Sequence, residues 1–89
     1  MQKAMEEIAV WTVDEGRPVR VVWRGERYRV NDRPTLLAEA LIWWHPAVTH
    51  PIPPEGWRFQ AVSESTGIAR VFDIQEQANG RWDLLRVYD

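Results

Sequence analysis

Apolar and polar residues alternate through residues 19–30, VRVVWRGERYRV, with one interruption at Gly25-Glu26. Alternation with a period of two places successive side chains on opposite faces of a β-strand, and a two-residue step that begins with glycine fits a type II′ turn. The stretch therefore predicts a β-hairpin in which Arg24 lies opposite Arg27 and Trp23 lies opposite Tyr28. One face is apolar (Val21, Trp23, Tyr28 and Val30), and the other carries Arg20, Val22, Arg24, Arg27 and Arg29.

A further strand is predicted immediately before this hairpin. Residues 8–13, IAVWTV, are apolar and rich in β-branched side chains, and residues 14–18, DEGRP, have the composition of a turn. We expect the first three strands to form an antiparallel meander, with Trp11 as a candidate for its core. Residues 1–7 are polar and are expected to form a frayed end.

The C-terminal part of the chain predicts a second meander. Its three strands are residues 57–63, 68–75 and 82–88, with loops at residues 64–67 and at Asn79-Gly80. Asn-Gly is the dipeptide that most readily supplies the two positive φ angles of a type I′ turn. The two loops agree in register: the first places Phe59 opposite Phe72, and the second places Phe72 opposite Val87, so all three side chains share one face.

These registers sort the side chains of the second meander onto two faces. Three strands of alternating pattern bury one face and expose the other, and opposite charges on neighbouring exposed strands stabilise the register. The predicted core face consists of Trp57, Phe59, Phe72, Ile74, Leu85 and Val87, and the other face carries an exposed row of alternating charge, Arg58, Asp73 and Arg86.

The segment between the meanders predicts a short helix followed by a loop. Asp32 is a suitable N-cap, Pro34 fits a first helical turn, and apolar residues continue at helical spacing as far as Trp44. Residues 41–44 would also suit a buried strand. Residues 45–56 hold four of the six prolines, so they predict a stiff Pro-rich loop.

The pattern as a whole indicates one mostly-β domain over residues 1–89. About six antiparallel strands form a bent sheet or an SH3-like small barrel, and one short helix covers an open end. A chain of 89 residues has enough material for one core and not for two.

Composition narrows the classes of protein to consider. The net charge of −2 disfavours a dedicated nucleic-acid coat protein, and the lack of cysteine excludes disulfides and cysteine-ligated zinc. No apolar run approaches the roughly 20 residues of a membrane-spanning helix, and no signal peptide is apparent. We therefore expect a cytoplasmic protein with no membrane partner.

The sequence contains no motif typical of catalysis. His45 and His50 are five residues apart and each precedes a proline, a spacing that matches no strong metal motif. The five glycines stand singly at predicted turns, so no phosphate-binding loop is present. We expect neither enzymatic activity nor a metal or cofactor.

The most suggestive surface is the arginine-bearing face of the first hairpin. Its arginines could be neutralised by Glu26, Asp14 or Glu15, could bind an acidic protein, or could follow a nucleic-acid backbone. At least one tryptophan should lie exposed nearby, because Trp43 and Trp44 are adjacent and Trp82 lies on the opposite side of its strand from Leu85. The candidate binding residues are Arg20, Arg24, Arg27, Arg29, Trp43, Trp44 and Trp82.

A protein-interaction module is the leading hypothesis for this surface, and a single-stranded nucleic-acid-binding module is the alternative. Arginine beside exposed tryptophan is typical of protein interfaces and also of platforms on which bases stack. The identity of a partner and the oligomeric state stay open at this point.

Three phrases of the chain resemble a known family: GRPVRVVWRGERYRV (residues 16–30), the pair Trp43-Trp44, and GRWDLLRVYD (residues 80–89). They are similar to a small domain of unknown function found mainly in high-GC Gram-positive bacteria. The resemblance implies a non-enzymatic cytoplasmic module associated with accessory proteins of translesion polymerases, the mutasome. The chain departs from the family pattern in the insert HPAVTHPIPP and in Trp57-Arg58-Phe59, and the resemblance assigns no binding residue.

Overall fold

The computed structural model describes the backbone of residues 2–37 and 56–88, with side chains from Glu6 onward. Residues 38–55, which include most of the predicted helix and nearly all of the Pro-rich loop, lie outside these ranges. The described residues form seven strands: β1 (Gln2–Val13), β2 (Arg17–Trp23), β3 (Glu26–Val30), β4 (Thr35–Leu36), β5 (Gly56–Ser63), β6 (Ala69–Glu76) and β7 (Trp82–Tyr88).

Six of these strands close into an antiparallel barrel. Neighbouring strands follow the order β3-β2-β1-β7-β6-β5-β4, and β3 also pairs with β5, which joins the two ends of the sheet. Closure removes most of the open sheet edge at which strands of other chains could pair. The prediction of a mostly-β domain with about six antiparallel strands and a small barrel is confirmed.

Strand β1 belongs to both halves of the barrel. Its first part, residues 2–8, pairs with β7, and its second part, residues 9–13, pairs with β2. Residues 2–7 are therefore paired strand rather than the frayed end that their polar composition suggested, because the backbone of β7 supplies hydrogen-bonding partners that side-chain polarity does not reveal.

The β2–β3 hairpin turns one residue earlier than the sequence predicted. Arg24 and Gly25 both have positive φ, 52° and 78°, which defines a type I′ turn, and Trp23 lies opposite Glu26 rather than Tyr28. The predicted type II′ turn and the Arg24–Arg27 pairing are wrong.

The shift in this hairpin moves the pairing of the two strands by two residues, so it preserves the alternation of faces. The predicted inner side chains Val21, Trp23 and Tyr28 are buried. The arginines of β2 and β3 are exposed, as the alternation predicts.

The second meander follows the predicted register up to one bulge. Phe59 lies opposite Phe72 and Trp57 opposite Ile74, as predicted. Between β6 and β7, however, Leu85 is an extra residue, so that Leu84 rather than Leu85 lies opposite Ile74. The bulge reverses the faces of the first half of β7, and both Leu84 and Trp82 are therefore buried.

Residues 34–36 do not begin a helix. Thr35 and Leu36 pair with Arg58 and Trp57 of β5 as the short strand β4. Asp32, predicted to cap a helix, instead accepts a hydrogen bond at Oδ1 from the backbone N–H of Gln60, 3.0 Å away.

A second bond holds the same segment along β5. The backbone N–H of Asn31 donates to the carbonyl of Gln60 at 3.1 Å. Both bonds join residues that are distant in sequence, so the local preference for a helical N-cap at Asp32 is outweighed by pairing with β5.

The centre of the core is an aromatic cluster around Phe72, which is fully buried. Its ring lies 5.8 Å from Trp23, 5.1 Å from Tyr28 and 5.7 Å from Phe59, measured between centroids. The contacts with Trp23 and Tyr28 are edge-to-face, an arrangement that aromatic rings favour. Strands β2, β3, β5 and β6 thus meet at one side chain.

The predicted charge row crosses β5, β6 and β7 in the expected register, but its central member is buried. Asp73 is 3% exposed and accepts two hydrogen bonds from Arg58, at 2.8 and 2.9 Å, and one from the Tyr88 hydroxyl at 2.9 Å. Hydrogen bonding to the Asp73 carboxylate raises the pKa of Arg58. The charge row is therefore partly buried, and its Arg58–Asp73 ion pair links β5 to β6.

Substitution of Asp73 by Asn should destabilise the fold by about 2–4 kcal/mol, because it leaves the Arg58 guanidinium without its bidentate anionic partner. Chemical denaturation would measure the loss. An Arg86→Gln variant is the control, since Arg86 is exposed and adjoins Asp73 only in strand register. Equal stabilities for Asp73→Asn and the native chain would contradict this role.

Substitution of Gly56 by Ala should also destabilise the fold, by about 1–3 kcal/mol, through steric overlap. An added Cβ would lie 2.7 Å from Leu37 Cδ2 and 2.9 Å from the carbonyl oxygen of Ile74. Gly67→Ala provides a comparison, because its Cβ meets nothing within 4 Å and only the positive φ of 76° opposes it. A Gly56→Ala chain as stable as the native one in the same denaturation assay would overturn the packing described here.

Candidate functional site

Polar and apolar side chains share the outer face of the barrel over β1, β2 and β3. Trp11, Arg20 and Arg29 lie directly opposite one another across these three strands. Directly opposite side chains have Cβ atoms about 4.5–5.5 Å apart, so they form one continuous row. We call the outer surface formed by this row and its neighbours the arginine face; it comprises Trp11, Val13, Arg20, Val22, Arg27 and Arg29.

A shallow open groove of about 540 Å³ lies along this row. Trp11 is 50% exposed and Val13 is 41% exposed, and Val19 and Val30 complete the apolar part of the lining. Arg20 and Arg29 line the same groove. An exposed indole next to two guanidinium groups offers an apolar surface and positive charge within one groove.

Charge balance differs among the arginines of this face. Arg20 forms an ion pair with Glu64, with 3.3 Å between Nε and Oε2. Arg27 and Arg29 have no ion pair with any acid in residues 6–37 or 56–88. Since Arg29 also lies opposite Arg20, its positive charge faces a like charge rather than an acid.

Glu64 is held in place by the backbone as well as by Arg20. Its N–H donates to the carbonyl of Arg27 at 2.9 Å, which fixes the 64–67 turn beside the hairpin. The sequence did not suggest Glu64 as a neutralising acid, because the contact joins residues from the two separate meanders.

Glu26, one of the acids that the sequence did suggest, has a different partner. The hydroxyl of the buried Ser63 donates to Glu26 Oε2 at 2.7 Å. The contact ties β3 to β5 and leaves that hydroxyl committed to a structural bond.

Arg24, a predicted binding residue, has a structural role in the turn. Its Nε donates to Glu6 Oε1 at 3.2 Å, and its guanidinium lies 4.8 Å from the centroid of the Trp23 ring. The indole N–H of Trp23 donates to the same oxygen of Glu6 at 3.0 Å. These hydrogen bonds, with that from Trp23 the larger contribution, lower the pKa of Glu6 below its ordinary value of 4.5.

The tryptophans are distributed differently from the prediction. Trp82 is 8% exposed and belongs to the core, so it is unavailable for binding, and Trp43 and Trp44 lie outside the described residues. The exposed tryptophan next to the arginines is Trp11, which the sequence suggested for the core. A signal for it existed: Trp11 is an odd number of positions from Ile8, so the two side chains cannot share the inner face of one strand.

The described residues contain no cluster of three or more His, Cys, Asp or Glu side chains that could hold a metal ion. His45 and His50 lie outside those residues. Within the same ranges, no helix has the length and apolar character needed to cross a membrane.

Comparisons with known proteins do not assign a family. No family model, curated protein sequence or solved structure matches the chain.

The lowered pKa of Glu6 predicts a specific acid sensitivity. A carboxylate whose pKa is depressed by folding stabilises the native state above its unfolded pKa, and this contribution disappears as the pH falls through the folded pKa. At about pH 7, Glu6→Gln should therefore be less stable than the native chain. The two free energies of unfolding should converge as the pH falls below about 4.5.

Denaturation at a series of pH values would test this, with tryptophan fluorescence as the readout. Arg24→Gln is the matched comparison: it should remove only part of the pH dependence, because the Trp23–Glu6 hydrogen bond remains. Parallel stability curves for Glu6→Gln and the native chain at every pH would exclude the proposed effect.

Proposed function

We propose that the chain is a non-enzymatic protein-interaction module that binds an acidic segment of a partner protein through the arginine face. The observation that carries the proposal is the position of Arg29. It lies in an open groove beside the half-exposed Trp11 and has no acidic partner among the described residues. An anion supplied by a partner would offset the like-charge contact with Arg20 and form the charge-assisted hydrogen bonds that guanidinium groups favour.

The apolar part of the groove favours a protein partner over a nucleic acid. Trp11, Val13, Val19 and Val30 offer surface for an aliphatic or aromatic side chain beside the arginines. Tryptophan and arginine are among the residues most enriched at the energetically dominant positions of protein interfaces.

The small number of unpaired cations also favours a protein partner over a nucleic acid. Glu64 neutralises Arg20 and Glu6 neutralises Arg24, so the hairpin presents Arg17, Arg27 and Arg29 as its cations without an ion pair within the described residues. A protein that binds along duplex DNA can neutralise about six to ten phosphates. Three unpaired cations suit a short acidic segment better.

Single-stranded nucleic acid is the second candidate for the same face. The observation that favours it is the exposed indole of Trp11, on which a base could stack.

Two further elements of the proposal are supported by the sequence alone. A cytoplasmic location is supported by the composition, and an association with DNA-damage tolerance is supported by the family resemblance of residues 16–30 and 80–89.

Selection from a random-peptide display library would test the proposal and would also reveal the chemistry of the partner. We expect enriched peptides to combine Asp or Glu with a neighbouring apolar residue. Calorimetry with one enriched peptide should show at least about 10-fold weaker binding to Arg29→Gln, since one charge-assisted contact contributes about 1.5–3 kcal/mol. The thermal melting temperature of Arg29→Gln should not fall, because the substitution relieves the contact with Arg20.

Arg86→Gln is the matched control: it removes one exposed positive charge from the middle of a strand on another part of the barrel, and it should leave peptide affinity unchanged. Peptides without acidic residues, or equal effects of the two substitutions, would refute the proposed site. An oligothymidylate that quenches tryptophan fluorescence at low salt, in the absence of acidic-peptide binding, would assign the face to nucleic acid instead.

A further inference from the structure

The second half of β1 has an unpaired edge. Strand β7 pairs with β1 only as far as Ile8, opposite Trp82, whereas β1 continues to Val13. On the other side, β2 pairs with residues 9–13. Beyond Ile8, the edge of β1 on the β7 side therefore has no strand partner in residues 2–37 and 56–88. Unpaired N–H and C=O groups of this kind are a template for another strand.

This edge lacks the usual protection against pairing. Residues 9–13, AVWTV, contain no charge and no proline. The pairing of β1 with β2 does contain a bulge, but its extra residue is Val19 on β2, since Trp11 lies opposite Arg20 and Thr12 opposite Pro18. Strand β1 itself is therefore regular at its free edge. An exposed, apolar and regular edge strand is a predicted site of association between chains.

One end of this edge carries a cation, Arg81, and the other end carries two exposed acids. Arg81, whose side chain is 58% exposed, binds Glu7 through two hydrogen bonds of 2.9 Å at one end. The exposed acids Asp14 and Glu15 stand at the other end. If two copies of the strand run antiparallel with Trp11 opposite Trp11, Glu7 lies opposite the second copy's residue 15. Arg81 is then placed between two acids.

We propose that two copies of this chain dimerise by antiparallel pairing of the edges at residues 9–13, around a two-fold axis at Trp11. Such an interface is isologous, so each favourable contact occurs twice. The paired segment is uncharged, and each of its ends brings Arg81 of one copy toward the acidic turn of the other. A five-residue strand pair is short, so we expect a weak, concentration-dependent dimer.

Dimerisation would also extend the arginine face, and this part of the inference rests on the proposed function. The sheets of the two copies would join in the order β3-β2-β1-β1-β2-β3. The row Arg29-Arg20-Trp11 of one copy would continue into the same row of the other, with two indoles in contact at the centre. The second copy thus contributes its own Trp11 to the binding surface, which then fits a segment bearing two separated acidic groups.

Sedimentation equilibrium of the full chain without ligand would test the dimer, over about 1 µM to 1 mM because interfaces of this size are weak. The average mass should rise from 10.5 kDa toward twice that value. Trp11→Lys should weaken dimerisation at least about 10-fold through like-charge contact at the axis. Ile68→Lys is the matched control: Ile68 is 51% exposed, close to the 50% of Trp11, and lies in the loop between β5 and β6. It should leave the dimer unchanged.

Glu15→Arg provides an independent variant, because residue 15 lies in an exposed turn and its new positive charge would approach Arg81 of the second copy. It too should weaken the dimer. A monomer at all concentrations, or a dimer insensitive to both Trp11→Lys and Glu15→Arg, would overturn the inference. A monomer that still binds acidic peptides would leave the proposed function intact, whereas a dimer that binds none would support the pairing and refute the proposed function.

Discussion

The contacts of Phe72 with three other aromatic rings are the constraint on which the rest of the structure depends. Trp23, Tyr28 and Phe59 come from three different strands, and all reach the same buried ring of β6. Burying them together requires the β2–β3 hairpin to lie against β5 as well as β6. The pairing of β3 with β5 closes the barrel. It provides hydrogen-bonding partners for backbone N–H and C=O groups that would otherwise be buried without partners where the hairpin meets β5.

The same constraint determines where the arginines are. Since Val21, Trp23 and Tyr28 must point inward, the period of two directs Arg20, Arg27 and Arg29 outward. The fold then uses some of its cations structurally: Arg58 is bound to the buried Asp73, and Arg24 is bound to Glu6 at the β2–β3 turn. Arg27 and Arg29 are left without an acid among the described residues. A face with that property, next to an exposed indole, is suited to binding.

The sequence was most informative about which side chains share a face, and least informative about register. A period of two survives a shift of two residues between opposing strands, which is why the sequence predicts the inner face of the first hairpin but not its turn.

Arg24 adopts left-handed backbone geometry, which is uncommon for a residue with a Cβ, and the type II′ alternative avoids it. Its hydrogen bond to Glu6, a residue distant in sequence, stabilises the turn that local preferences alone would not select. Similarly, the bulge at Leu85 places Leu84 rather than Leu85 in the core, and nothing in the local sequence distinguishes these two leucines. Residues 8–13 carry apolar side chains on both faces of the strand, so composition alone suggests the core for Trp11.

The central claim is that Trp11 and Arg29 form a binding surface while Trp23 and Arg24 maintain the fold. Indole N–H signals in a proton–nitrogen correlation spectrum, recorded during titration with a short peptide of glutamate and leucine residues, would test it most directly. The Trp11 indole signal should move with added peptide, and that of Trp23 should stay in place because its N–H is bound to Glu6. A Trp23 signal that moves while that of Trp11 does not would contradict the assignment of these two roles.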